Sequence, residues 1–250
     1  MNIFEDSINL LKGSAFTEIT VNDTFIFLES PAIFSEYIVP LTWLDKFDTQ
    51  TAHELFLKES EEEKNISYYI RHTLQSEYSG YLKSLKLSHD YTDSYMVNEL
   101  KTLTKLDDKG TTLLEVTENT FEEYKAIALD IFNTWVNEED YVNHFHNLAI
   151  NQQSETKNFK DFCLTLNDTI VSIASVVWDT EMNLAYIHNA GTLIDFRKNG
   201  YFTIINGYLA NYLFNLGITR IYAIVEKDSD SQNIYRRLNF KEQDTYYSYS

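Results

Sequence analysis

Cysteine occurs once in 250 residues, as Cys163. One thiol closes no internal disulfide, so the usage fits a reducing compartment. In "FCLTL" Cys163 alternates with apolar neighbours, which reads as core packing rather than a nucleophile. Proline is nearly absent, with two residues, and glycine is scarce, with seven. Basic side chains are few: 20 Lys and Arg stand against 38 Asp and Glu, a net charge of -18. As a whole, such a chain repels nucleic acid and anionic membranes. The excess serves solubility or attracts cationic partners, and it is spread over both halves without an acidic or basic tail. No apolar run approaches the ~18 residues that cross a membrane. "MNIFEDSINLL" carries acids where a secretory leader carries bases. These absences predict a soluble, cytoplasmic protein.

What is present is apolar and aromatic. The hydrophobic fraction of 44% is enough for a real core, and 18 Tyr with 16 Phe favour sheets and aromatic-lined clefts. The length allows one large domain or two small ones. In the first half, residues 3–12 read as a short helix. "FTEITVNDTFIFLES" reads as a hairpin around Asn22 and Asp23. "TAHELFLKESEEEKNIS" reads as a helix with a solvated acidic face, "YYIRH" as a strand, "SGYLKSLKLS" as a helix and break, and "DSYMVNELKTL" as a strand. "KLDDKGTT" (105–112) is a polar connection that places a boundary between domains 1–110 and 111–250.

The second half reads β-α-α-β-β-β-α-β-α-β. "LLEV" is a strand, and "TENTFEEYKAIALDIFNTW" and "EEDYVNHFHNLAI" are helices. Two strands flank Asn167 and Asp168, and "NLAYIHNAGTL" is a third. "YFTIINGYLANYLFNLG" is a long helix with Ile204, Ile205, Tyr208, Leu209, Tyr212, Leu213 and Leu216 on one face, ended by Gly217. "ITRIYAIVE" is a buried strand, "DSQNIYRRL" a short helix and "DTYYSYS" a last strand.

The turn between strand and long helix concentrates scarce residue types. Arg197, Lys198, Asn199 and Gly200 precede a helix starting near Tyr201. Free N–H groups at a helix N-terminus and the helix dipole favour an anion, a glycine lets it approach the backbone, and two cations add charge. Pyrophosphate suits such a turn, although neither common phosphate-loop spacing is present. A purely structural polar corner is the other reading.

"AGTLIDFRKNGYF", a helix, a strand and "SQNIYRRLNF" together resemble the GNAT superfamily of acyl-CoA-dependent N-acyltransferases. Arg197 and Gly200 match its R-x-x-G-x-[GA] loop, and Tyr235, Leu238 and Phe240 match its Y-x-x-L-G-F-like stretch. The resemblance covers roughly 113–250. Phe202 stands where the family has Gly or Ala, and Asn239 where it has Gly. The resemblance implies an α/β fold with a mixed, mainly antiparallel twisted sheet flanked by helices. It implies acetyl-CoA as cosubstrate, without a metal, and an amine acceptor; the chain's negative charge would suit a cationic one. Thr192, Leu193 and Ile194 would line the acyl and pantetheine arm. Arg197 and the amides of Lys198, Asn199, Gly200, Tyr201 and Phe202 would hold the pyrophosphate. Tyr235 would protonate the departing thiolate. The first half resembles, more faintly, the partial GNAT-like module that some members carry, without the phosphate loop and so without a cofactor. The family resemblance leaves two outcomes: an N-acetyltransferase, or a degenerate acyl-CoA-binding or protein-interaction module without turnover.

His188 lies four residues before Thr192 on the same strand face. It is either a base for the ammonium or a hydrogen-bonded structural histidine. His144 and His146 sit two apart on a helix, on different faces, which argues against a metal pair. Asp179 and Glu181 are expected in a solvated hairpin. Trp178 and Tyr186 are aromatic core or cleft lining.

Overall fold

The computed structural model of the chain describes residues 2–30, 35–62, 64–132, 138–151 and 156–250. Seven α-helices among the described residues are α1 (Ile3–Leu11), α2 (Thr49–Glu61), α3 (Gln75–Ser84), α4 (Phe121–Ile131), α5 (Glu138–Asn151), α6 (Tyr201–Asn215) and α7 (Asp230–Arg237). The strands are β1 (Glu18–Val21), β2 (Phe25–Glu29), β3 (Glu36–Pro40), β4 (Ile66–Arg71), β5 (His89–Glu99), β6 (Thr111–Glu115), β7 (Lys157–Leu166), β8 (Thr169–Asp179), β9 (Leu184–Thr192), β10 (Arg220–Glu226) and β11 (Lys241–Tyr249). From β6 onward this is the element order expected from the sequence. The end of the helix expected at 133–135 and Glu63 of the acidic run lie outside the described residues.

The chain forms two compact units. One comprises Met1–Tyr95, Ile224–Asn233 and Glu242–Ser250, and the other Met96–Ala223 and Ile234–Lys241. β5 and β10 contribute residues to both. In the first unit the hydrogen-bonded order is β1-β2-β3-β4-β11, antiparallel except for β3 with β4. In the second it is β10-β9-β8-β7-β6, antiparallel except for β10 with β9.

Each core follows from its pattern. β8 is buried from Ile170 to Asp179, and Cys163 is buried in the cluster under α4 and α5 with Tyr124, Ala128 and Ile173. Burial pushes the Cys163 thiol up to about 11, so it stays protonated at neutral pH. On α6, Ile204, Ile205, Leu209 and Leu213 are buried, each contributing about 1.5–3 kcal/mol. Leu216, just past the helix end, is instead exposed.

Three readings of the sequence need correction. The helix expected over 51–67 stops at Glu61, and Ile66 and Ser67 open β4. β3 was not anticipated: its Glu36 is buried because Lys64 Nζ lies 3.1 Å from its carboxylate. Asp179 is not solvated. It is buried, and its Oδ1 accepts from the N–H groups of Glu181 (2.9 Å) and Met182 (3.1 Å), closing the hairpin between β8 and β9.

Candidate active site

All the candidate residues lie in the second unit. β10 pairs with β9 only through Arg220–Tyr222 and Leu184–Tyr186, yet β9 runs on to Thr192. Beyond Tyr186 the β10-facing edge of β9 pairs with no strand of this unit among the described residues, which is the geometry of a crevice between parallel strands. Opposite β8, β9 is bulged: Ser175 faces His188 and Ile173 faces Gly191, so Asn189 and Ala190 stand against one residue. Asn189 takes φ +47, and such a bulge re-aims backbone groups. Gly191 is required by packing, since a Cβ there would lie 2.4 Å from Ile131 of α4.

The turn after β9 is pinned by its own side chains. Leu193 N–H donates to Val171 O of β8 (3.1 Å), and Thr192 Oγ1 lies 2.9 Å from Ser172 Oγ. Arg197 Nε donates back to Thr192 O at 3.1 Å, so this arginine braces the turn as well as charging it. Ile194 is 70% exposed and opens a short 3-10 turn, Ile194–Phe196. Asn199 Nδ2 donates to Phe196 O (3.2 Å) and Arg197 O (3.3 Å).

Gly200 is the N-cap of α6 at φ +89, with no side chain capping the first turn. Glycine reaches this left-handed conformation without strain. The N–H groups of Lys198, Asn199 and Gly200 have no acceptor among the described residues, and those of Tyr201 and Phe202 belong to the open first turn. A third cation joins them. Lys109 Nζ donates to Asn199 O at 2.7 Å and lies 3.4 Å from where a Gly200 Cβ would be. In the sequence Lys109 stands in the polar connection 105–112, and only the fold brings it across 90 residues to the turn.

Phe202 turns its ring edge-on to Tyr235 (5.7 Å, 85°). Asn239 has φ +66 and so does what glycine would do there. Tyr235 is 2% exposed, its hydroxyl donates to Asn206 Oδ1 at 3.1 Å, and Asn206 Nδ2 donates to Phe202 O at 2.8 Å. Burial raises the Tyr235 pKa well above the usual phenol range, so the group keeps its proton at neutral pH. Asn206, a buried polar residue on the apolar face of α6, was not singled out from the sequence; its position among apolar neighbours was the available signal.

His188 is buried, its Nδ1 lies 3.3 Å from Tyr141 Oη, and its ring stacks on Tyr186 (5.2 Å, 18°). Tyr186 in turn stacks on Tyr222 (4.7 Å), whereas Trp178 is buried against Tyr212. Burial drives the His188 pKa down to about 4. The imidazole is neutral at pH 7 and can accept a proton, though weakly. Because the folded-state pKa lies below the unfolded value of about 6.5, the unfolded chain binds the proton first. Stability from this group is therefore fully present above about pH 6.5 and lost as pH falls towards 4, by about 3 kcal/mol in all. Chemical denaturation at pH 7 and pH 4.5 should show that loss in the parent and a smaller one in His188→Gln.

His188 belongs to a row. Asp161 on β7 pairs with Ser175 on β8, which pairs with His188 on β9. Asp161 accepts from Ser175 Oγ (2.6 Å) and contacts His146 Nδ1 (3.0 Å), while Tyr124 Oη lies 2.8 Å from Ser175 Oγ. His146 is thus a buried partner of Asp161. Among the described residues no group of three or more His, Cys, Asp or Glu is placed to hold a metal.

No protein-family model matches the sequence, and no curated protein matches it. The fold does have solved counterparts. A GCN5-related N-acetyltransferase from Kribbella flavida superposes with a TM-score of 0.69 at 16% identity, over 99% of this chain and 93% of that one. One from Sphaerobacter thermophilus gives 0.70 at 10% identity, over 98% and 84%. A tandem GNAT protein from the clavulanic acid biosynthesis pathway gives 0.62 at 7% identity, over 90% and 77%. With the crevice beside β9 and the glycine-capped α6 already in place, these likenesses establish that the chain has the GNAT-superfamily fold.

Proposed function

We propose that the protein is an N-acetyltransferase that moves the acetyl group of acetyl-CoA to a primary amine of a small molecule or protein. The observation that carries this reading is the open N-terminus of α6, where unpartnered N–H groups meet Arg197, Lys198 and Lys109. Such a turn fits a pyrophosphate through charge-assisted hydrogen bonds and the helix dipole. Residues 111–250 form the catalytic domain in this proposal. Residues 1–110 form a partial GNAT-like module without a cofactor, in a protein working in the cytoplasm.

Acetyl-CoA supplies the activated thioester. The chain supplies position and protons. The amides of Lys198 to Phe202 hold the pyrophosphate, and the backbone of Thr192 to Ile194 lies along the arm. A β9 N–H stabilises negative charge developing on the acyl oxygen. Neutral His188 takes up the proton of the incoming amine, directly or through water. Tyr235, protonated at neutral pH, donates towards the departing sulfur.

One observation favours binding without turnover: the Tyr235 proton is already committed to Asn206, in a buried site. A thiol-release assay with acetyl-CoA over a panel of primary amines separates the two. Amine-dependent release of free thiol is expected. Tight acetyl-CoA binding with no release over any amine, polyamines and lysine peptides included, would leave a binding module.

A further inference from the structure

The first unit has a crevice of its own, at the ends of its parallel strand pair. β3 pairs with β4 only through Glu36–Ile38 and Ile66–Tyr68, yet β3 continues to Pro40 and β4 to Arg71. Past that point β3 keeps its β2 partner, and β4 goes on pairing with β11 as far as Arg71 against Tyr246. The divergence leaves a cavity of about 300 Å³. Ligands of open α/β sheets bind in such a place, outside the carboxyl ends of the strands.

A second acyl-CoA does not suit it. Helix α2, which follows β3, is capped by Asp48, whose Oδ1 accepts from Thr51 N–H at 3.0 Å. A carboxylate thus holds the place that Gly200 leaves open on α6, and it would repel a phosphate. Pro40 also offers no N–H to an extended arm.

What the cavity offers is amphipathic. Phe4, Trp43 and Leu74 supply apolar walls, and Trp43 is 46% exposed. Tyr246 stacks on Phe4 at 4.4 Å and keeps that wall rigid. Two charged side chains line the same cavity, Arg71 and Glu5. Arg71 Nε lies 2.8 Å from Asp244 Oδ2, its two terminal nitrogens make no hydrogen bond or ion pair among the described residues, and Glu5 also acts on its charge. The guanidinium is therefore held in place with its fork available for a carboxylate. A simple anion would meet the carboxylates of Glu5 and Asp244, and a simple cation would leave the terminal N–H groups of Arg71 without an acceptor. A zwitterion satisfies both charges.

We propose that this crevice binds a free apolar α-amino acid, with its carboxylate on the Arg71 fork, its ammonium at Glu5 and its side chain against Trp43 and Leu74. The proposal does not depend on the acetyltransferase reading. L-Phenylalanine and two analogues serve as probes: 3-phenylpropanoate lacks the ammonium, and phenethylamine lacks the carboxylate. Calorimetric titration of the full chain should show binding of L-phenylalanine and at least ~10-fold weaker binding of each analogue, the scale of one lost charge-assisted contact. Glu5→Gln and Trp43→Ala, both at exposed positions, should each weaken L-phenylalanine by roughly 5-fold or more. Arg71→Lys, which keeps the charge facing Asp244 but loses the fork, should weaken it further. Three results would overturn the proposal: no binding of L-phenylalanine or L-leucine at millimolar concentration, binding of either analogue as tight as the amino acid, or unchanged affinity in both Glu5→Gln and Trp43→Ala.

Discussion

Gly200→Val should reduce acetyl-CoA affinity by about 100-fold or more while the chain stays folded. Gly200 sits at φ +89, where a β-branched residue is strained by about 1–3 kcal/mol. The new Cβ would meet only Lys109 Nζ, at 3.4 Å, the movable end of a flexible side chain. Steric cost to the fold is therefore small, and the strain falls on the turn. Relieving it rotates the N–H groups of Asn199 and Gly200 and puts methyl groups where the pyrophosphate must approach. Arg197→Ala should cost ~1–3 kcal/mol in binding, the range for a charge-assisted contact, and it also removes the brace on Thr192 O. Lys109→Ala should cost less, about 0.5–1 kcal/mol, because that ammonium is exposed. Calorimetry on the three folded variants checks the order. Parent-like affinity in both Gly200→Val and Arg197→Ala would rule the turn out as the anion site.

Tyr235→Phe should lower turnover by roughly 10²-fold, the usual scale for lost acid–base help, with acetyl-CoA affinity little changed. The variant removes one oxygen and keeps the ring that packs against Phe202 and Phe240. It also frees Asn206 Oδ1, a buried acceptor, so a stability loss of about 1–3 kcal/mol should accompany it. That second effect gives the control. Asn206→Leu breaks the same hydrogen bond but leaves the phenol in place to donate. If turnover falls only in Tyr235→Phe, the proton matters; if both fall alike, Tyr235 acts by packing. Single-turnover thiol release with a responsive amine distinguishes them.

Much of the second unit was legible because its signals are local. β7 and β8 flank Asn167 and Asp168, and both turn residues take positive φ (+49 and +63), the pair that a tight hairpin turn requires. The α6 stripe and its end at Gly217, φ +85, are equally local. β3 was not legible, because a strand containing Glu36 and Pro40 reads as a loop until Lys64 is known to sit beside it. Residues 64–67 read as helix because the polar run of α2 continues into them without a break in pattern, although β4 begins at Ile66. At the site, the cations and glycine of 197–200 could be read as a motif. Lys109 could not, since a lysine far along the chain joins the turn only through the fold. The bulge at Asn189 and the Asp161–Ser175–His188 row also depend on strand register, which single-strand patterns do not report.

The most direct test of the account is a calorimetric titration of the full chain with acetyl-CoA, repeated with S-acetylpantetheine, which keeps the acetyl thioester and arm but lacks the pyrophosphate. The expected result is one acetyl-CoA per chain and far weaker binding of the truncated thioester, because the turn at Arg197–Phe202 is the main anchor. Equal affinity for the two ligands, two acetyl-CoA molecules per chain, or no heat with either would contradict it.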